Sequence, residues 1–186
     1  MYFQYHIYMK YVALLRGINV GGNAKVEMKK LKASFESLGF SNVSSYINSG
    51  NIIFETKLTD ENKIVKNIEH TIKKDFGLDI RVIIRDSENI KKINKLIPKD
   101  WVRNTEMKTD VMFLWNKIDS KDILKDLNIS KDLENVKYVP GAIVWNISIA
   151  NYGKSKIPKI IMGKIYKLMT IRNINTVRKL NDLMSL

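Results

Sequence analysis

Apolar positions along the chain switch between two spacings, and the switches predict its elements. Tyr11-Val-Ala-Leu-Leu is an unbroken apolar run inside Lys10 to Arg16 and predicts a buried strand. A loop with three glycines follows, after which Met28, Leu31, Phe35 and Leu38 recur at helical spacing until Gly39 provides a stop. Asn42 to Tyr46 and Asn51 to Glu55 flank Asn48-Ser49-Gly50, small polar residues that tolerate positive φ, so the pair predicts a hairpin. Thr59 is expected to cap a helix that carries Ile64, Ile68, Ile72 and Phe76 on one face and ends at Gly77. Ile80, Val82 and Ile84 then alternate with Arg81 and Arg85, the pattern of a strand with one inward face.

Ser87 opens a connecting helix through Ile90, Ile93 and Ile97 that Pro98 ends. A second cycle follows: a strand from Asp110 to Trp115, a short helix from Ser120 to Leu127, and a hairpin of Asn135 to Val139 with Ala142 to Ser148 around Pro140-Gly141. A helix from Ser155 to Met169 is expected next, with Pro158 tolerated in its first turn, and a last helix from about Asn175 to Met184. The order β-α-β-β-α-β followed by β-α-β-β-α predicts an α+β protein made of two ferredoxin-like α/β-sandwich halves. With little residue identity between the cycles, the repeat is one of shape. The expected divisions are an extension over residues 1–8, an N-terminal half over 9–86, a connecting helix and linker over 87–108, and a C-terminal half over 109–186.

Composition narrows the chemistry. The 186 residues are 45% hydrophobic, enough for a packed core, and Lys+Arg 32 against Asp+Glu 19 leaves a charge of +13 that favours anionic partners such as nucleic acid or nucleotides. Cysteine is absent, which removes disulfides, thiolate metal sites and cysteine nucleophiles. His6 and His70 are the only histidines, and no His/Asp/Glu cluster has metal-ligand spacing, so neither a metal nor a cofactor is expected. No apolar run approaches the roughly 18–20 residues of a membrane span, and a cytoplasmic location without membrane association is expected. Met9 reads as a natural start, with residues 1–8 as the extension.

The block Tyr11-Val-Ala-Leu-Leu-Arg-Gly-Ile-Asn-Val-Gly-Gly-Asn23 continues through Leu38-Gly-Phe40 and Tyr46-Ile-Asn-Ser-Gly-Asn-Ile-Ile-Phe54. With Val111 to Leu114, Thr170 to Val177 and Lys179-Leu180, this combination closely resembles the bacterial family named domain of unknown function 1697. The resemblance runs from Met9 onward and implies a compact α+β fold with ferredoxin-like halves; it implies no agreed activity. Ile174 stands where members often carry tryptophan, which removes a stacking ring from that position.

Two regions carry candidate chemistry. Arg16, the amides of Gly17, Gly21 and Gly22, and the side chains of Asn19 and Asn23 form a set able to bind phosphate or carboxylate ahead of a helix. Gly22 precedes Asn23 where a phosphate-binding P-loop needs Lys and Ser or Thr, and the glycine spacing is not the dinucleotide fingerprint. A tight turn with local asparagine bonds explains the same residues. Ser49 and Asn51 are added as ligand contacts, although Ser49 lacks a base and Ser49-Gly50-Asn51 reads as a hairpin turn rather than a catalytic serine. The second region holds eight Lys and Arg against one Asp over residues 151–186, or +7 of the +13. On the expected helix Lys156, Lys159, Lys164 and Lys167 span about 140° and form a basic stripe. Arg172 and Asn173 then open a helix N-terminus able to receive an anion.

Two functional classes follow: a non-catalytic or weakly catalytic binder of nucleic acid backbone or nucleotide, acting through the glycine-rich loop and the basic C-terminal segment, and an enzyme acting on a small phosphorylated or carboxylated metabolite. A homo-oligomeric interaction protein pairing hairpin edges is the third possibility.

Overall fold

A computed structural model of the chain describes residues 8–20, 24–161 and 163–185. It divides into two compact units, residues 1–87 and 88–186. The first contains β1 (Met9–Leu15), α1 (Met28–Ser37), β2 (Ser41–Ser45), β3 (Asn51–Thr56), α2 (Glu61–Phe76) and β4 (Val82–Asp86). Its antiparallel sheet has the order β2-β3-β1-β4, the ferredoxin-like arrangement expected from the element order.

Alternation along the strands decides the core. Tyr11, Ala13 and Leu15 of β1, Ile52 and Phe54 of β3, and Val82 and Ile84 of β4 cluster with Leu31 and Phe35 of α1 and Ile64, Ile68 and Ile72 of α2. Phe54 stacks on Phe40 at 4.5 Å between centroids and meets Phe35 edge-on at 5.5 Å. Each such side chain contributes roughly 1.5–3 kcal/mol on burial. Asp60, not Thr59, caps α2: its carboxylate accepts from the Lys63 N–H at 3.1 Å. Gly77 ends α2 at φ 68, a left-handed conformation that suits glycine.

The second unit contains α3 (Ser87–Leu96, whose first residue closes unit one), β5 (Met107–Leu114), α4 (Ile123–Asp126), β6 (Glu134–Val139), β7 (Ala142–Ser148), α5 (Ile149–Tyr152), α6 (Ile157–Ile161), β8 (Met169–Asn173) and α7 (Ile174–Ser185). The sheet order is β6-β7-β5-β8, again antiparallel. Met112, Leu114, Ile143, Trp145, Ile147 and Met169 form its core with Ile123, Leu127 and Ile157. Arg178 ties α7 to the loop after α3, its Nη2 donating to the carbonyls of Pro98 at 3.2 Å and Trp101 at 3.0 Å.

One long expected helix, Ser155 to Met169, is corrected by the structure. Helix α6 stops at Ile161, residues 164–168 form a 3-10 segment, and Met169 begins β8. Apolar residues at helical spacing suggested continuity, but Met169 to Asn173 gain a full ladder against β5 that a helix would forgo. The second cycle thereby acquires the fourth strand that the sequence reading left out.

With β8 in place the three inner and C-terminal strands of the two sheets match in register, while β2–β3 carries a register shift that β6–β7 lacks. Val12 faces Arg85 as Val111 faces Arg172. The bond from the Leu15 N–H to the Gly50 carbonyl, 2.8 Å, recurs from Leu114 to Gly141 at 3.0 Å. Arg16 to Arg81 at 3.0 Å recurs as Trp115 to Leu168 at 3.1 Å. Even the side chains agree: Arg85 and Arg172 each donate from Nη1 to the preceding residue's carbonyl, at 2.8 and 2.9 Å. The shape repeat therefore extends to register and to one arginine.

Candidate functional site

At one end of the first sheet, three chain segments meet. Leu15 and Arg16 leave β1 bonded to Gly50 and Arg81, so the glycine loop, the β2–β3 turn and the start of β4 share this end. Five of the ten positive-φ residues among those described lie in the two loops here: Gly17, Asn19, Ala24, Ile47 and Gly50. Ile47 matters most, because a β-branched residue at φ 50 is strained and its side chain is nonetheless exposed. Gly50 is required by space as well as by its φ of 75: a Cβ would lie 2.8 Å from Leu15 Cβ and Ile18 Cδ1.

The asparagines at this end hold the loops together. Asn19 donates from Nδ2 to the carbonyls of Val26 and Asn48, both at 2.9 Å, while its Oδ1 accepts from the Val26 N–H at 2.8 Å. Asn51 is buried and donates to the Tyr46 carbonyl at 3.0 Å and to Ser49 Oγ at 3.2 Å. These side chains organise the site's frame. Half-buried Arg16 and exposed Arg81, whose Nε lies 3.5 Å from Glu69, supply its cationic groups beside exposed Gly17. Gly21, Gly22 and Asn23 lie outside the described residues.

Arg172 and Asn173 belong to the second unit. Arg172 is buried in β8, donating to Thr170 Oγ1 and the Ile171 carbonyl, both at 2.9 Å, and burial pulls its guanidinium down to about 10 despite the opposing influence of Tyr166. Asn173 Oδ1 accepts from the Thr176 N–H at 2.9 Å, so this side chain occupies part of the α7 N-terminus.

The basic stripe is also corrected. Lys156 precedes α6, Lys159 lies within it, and Lys164 and Lys167 belong to the 3-10 segment, so no single helix presents all four. Each is nevertheless exposed, as is Lys154. Between Glu134 and Asp182 the chain has no acidic residue, leaving these lysines without a neighbouring carboxylate in sequence.

The same segment borders a cavity of about 290 Å³ over the core face of the second sheet. Trp145, Tyr152 and Tyr166 supply aromatic walls, and Met112, Pro158 and Ile171 supply the remaining apolar surface. One end is charged: Lys108 Nζ lies 3.2 Å from Asp110 and 5.0 Å from the Tyr152 ring centroid, while Arg103 donates to Asp110 at 2.6 Å. Trp145 is set in place by Glu134, whose Oε2 accepts from its Nε1 at 2.9 Å and from Ser155 Oγ at 2.7 Å. Sequence reasoning missed this cavity, since its residues come from β5, β7, α5, α6, a 3-10 turn and β8 with no common spacing. The one available signal was the four aromatic residues of the acid-free stretch, Tyr138, Trp145, Tyr152 and Tyr166, three of which line the cavity.

Among the described residues no three His, Asp or Glu side chains gather as a metal site, and no helix is long and apolar enough to cross a membrane. A search of the curated proteins finds no match. Among solved structures, the chain is similar to the conserved bacterial protein SP0830 from Streptococcus pneumoniae, with 27% identity and a TM-score of 0.79 over 96% of this chain and 99% of that one. The sequence profile described as "Protein of unknown function (DUF1697)" matches residues 9–145, which takes in the loop end of the first unit and the chain as far as Trp145. The chain belongs to the DUF1697 family.

Proposed function

We propose that this protein binds an anionic ligand, nucleic acid backbone or nucleotide, through the basic segment of its second unit. The observation that carries the reading is the run of exposed lysines, 154, 156, 159, 164 and 167, inside a stretch without a single carboxylate. The second unit holds nineteen Lys and Arg against ten Asp and Glu, so most of the excess charge is there. Phosphate contacts of this kind release counterions and make affinity fall with salt. Four such contacts on a single strand give a slope of about −3 in log K against log salt. Fluorescence anisotropy of a labelled single-stranded oligonucleotide across a salt series reads that slope directly. Replacing Lys156, Lys159, Lys164 and Lys167 with Gln is expected to flatten it; a salt-independent interaction, or none at about 50 mM salt, removes the reading.

A second reading, an enzyme acting on a small phosphorylated or carboxylated metabolite, is favoured by the concentration of strained backbone around Arg16, Gly17, Ile47 and Ser49. In it Arg16 and the Gly17 amide hold the anion, and Ser49 contacts the reacting part. A thermal-shift screen of phosphorylated and carboxylated metabolites, repeated with Arg16→Ala, tests it. A stabilising ligand whose shift survives Arg16→Ala would exclude this placement.

A further inference from the structure

We infer that the aromatic cavity of the second unit is a nucleobase pocket, an inference that rests on the anion-binding reading and specifies its ligand as a nucleotide. Size comes first. At about 290 Å³ the cavity is at the small end of ligand pockets, suited to one flat ring system. Trp145 is buried and Tyr152 packs on it at 5.9 Å between centroids, so the π surface open to a base is that of the exposed rings, Tyr152 and Tyr166.

The charged end argues against a purely apolar occupant. Lys108 and Asp110 are already largely buried, with Arg103 also on the carboxylate, and a hydrocarbon occupant would use none of the polar atoms they present. A base edge presents donors and acceptors together, so it can accept from Lys108 and donate to Asp110. The phosphate then has its own partners. Lys159 follows Pro158 and Lys167 follows Tyr166, so two cavity-lining residues each have an exposed lysine next in the chain. In this assignment the ring enters the cavity and the phosphate is left to Lys159 or Lys167.

The test compares a nucleoside 5′-monophosphate, the matching nucleoside, ribose 5-phosphate and a single-stranded octanucleotide by calorimetric titration at low salt, using the four common bases. Tyr152 and Tyr166 are each more than a third exposed, so a Tyr152→Ala/Tyr166→Ala variant is expected to fold, which a circular-dichroism melt verifies. The monophosphate is expected to bind at least about tenfold more tightly than ribose 5-phosphate, and the tyrosine variant is expected to erase that preference while leaving ribose 5-phosphate unchanged. An octanucleotide that loses about tenfold in the tyrosine variant supports the same pocket, with polymer as its source. If monophosphate and ribose 5-phosphate bind alike, and the tyrosine variant leaves the octanucleotide unchanged, the base pocket is overturned while the lysine reading stands. Nucleoside and monophosphate binding alike, with no salt dependence, removes the lysine reading and with it the nucleotide assignment. Absence of binding by all four overturns both.

Discussion

At the residue scale, the loop end of the first unit makes the sharpest stability predictions. Gly50→Ala adds a Cβ within 2.8 Å of Leu15 Cβ and forces a side chain to φ 75, so a loss of about 3–5 kcal/mol is expected in urea denaturation. Gly77→Ala has a similar φ of 68 but open space around it and is expected to cost only about 1–2 kcal/mol. Asn19→Gly keeps the left-handed backbone and deletes three hydrogen bonds to the main chain, for an expected loss of about 3 kcal/mol. Ile47→Asn runs the other way. Asparagine tolerates φ 50, so the variant is expected to gain about 1 kcal/mol, and weakened metabolite binding in the same protein would tie the strain to function. The turn at Asn48-Ser49-Gly50 was legible from its small polar residues, of which Gly50 alone takes positive φ. The strain at Ile47 was not, since nothing local predicts a β-branched residue there.

At the element scale, local signals located helices and hairpins well where a face or a turn residue marked them. Ile64, Ile68 and Ile72 identified α2, and Gly77 its end, but the cap was assigned one residue early. Asp60→Ala is therefore expected to cost about 1 kcal/mol and Thr59→Ala close to nothing, a contrast that thermal melts can read. The C-terminal segment shows where such signals fail. Helical spacing continued past Ile161, but β5 had one edge open, and Met169 to Asn173 satisfy their backbone by pairing with it. Partner strands are supplied from more than fifty residues away, beyond the reach of any periodicity. Glu134 illustrates the same distance at a single side chain. It joins Trp145 on β7 to Ser155 through one carboxylate oxygen and accepts from the Ser130 N–H with the other, so Glu134→Gln must set its NH2 against a donor and is expected to lose about 2–3 kcal/mol by denaturant titration.

At the scale of the whole molecule, charge and repetition are the governing facts. A net +13, concentrated in the second unit, makes salt the first variable to change in any binding experiment. Repetition explains Arg172 in a way its charge did not: the equivalent position in the first unit is Arg85, with the same bond to its own strand. The sequence by itself determined the element types outside the segment from Ser155 to Asn173, the α+β class with ferredoxin-like halves, the absence of cysteine chemistry and the family likeness. Each depends on local periodicity, turn residues or composition, which are properties of neighbouring positions. Only the tertiary structure decided that β8 completes the second sheet, that Asn19 and Asn51 serve as internal clips, that four lysines do not share a helix face, and that Trp145, Tyr152 and Tyr166 enclose a cavity. Those outcomes depend on which distant groups compete for the same hydrogen bond or the same buried space, and that competition is settled when the sheets form.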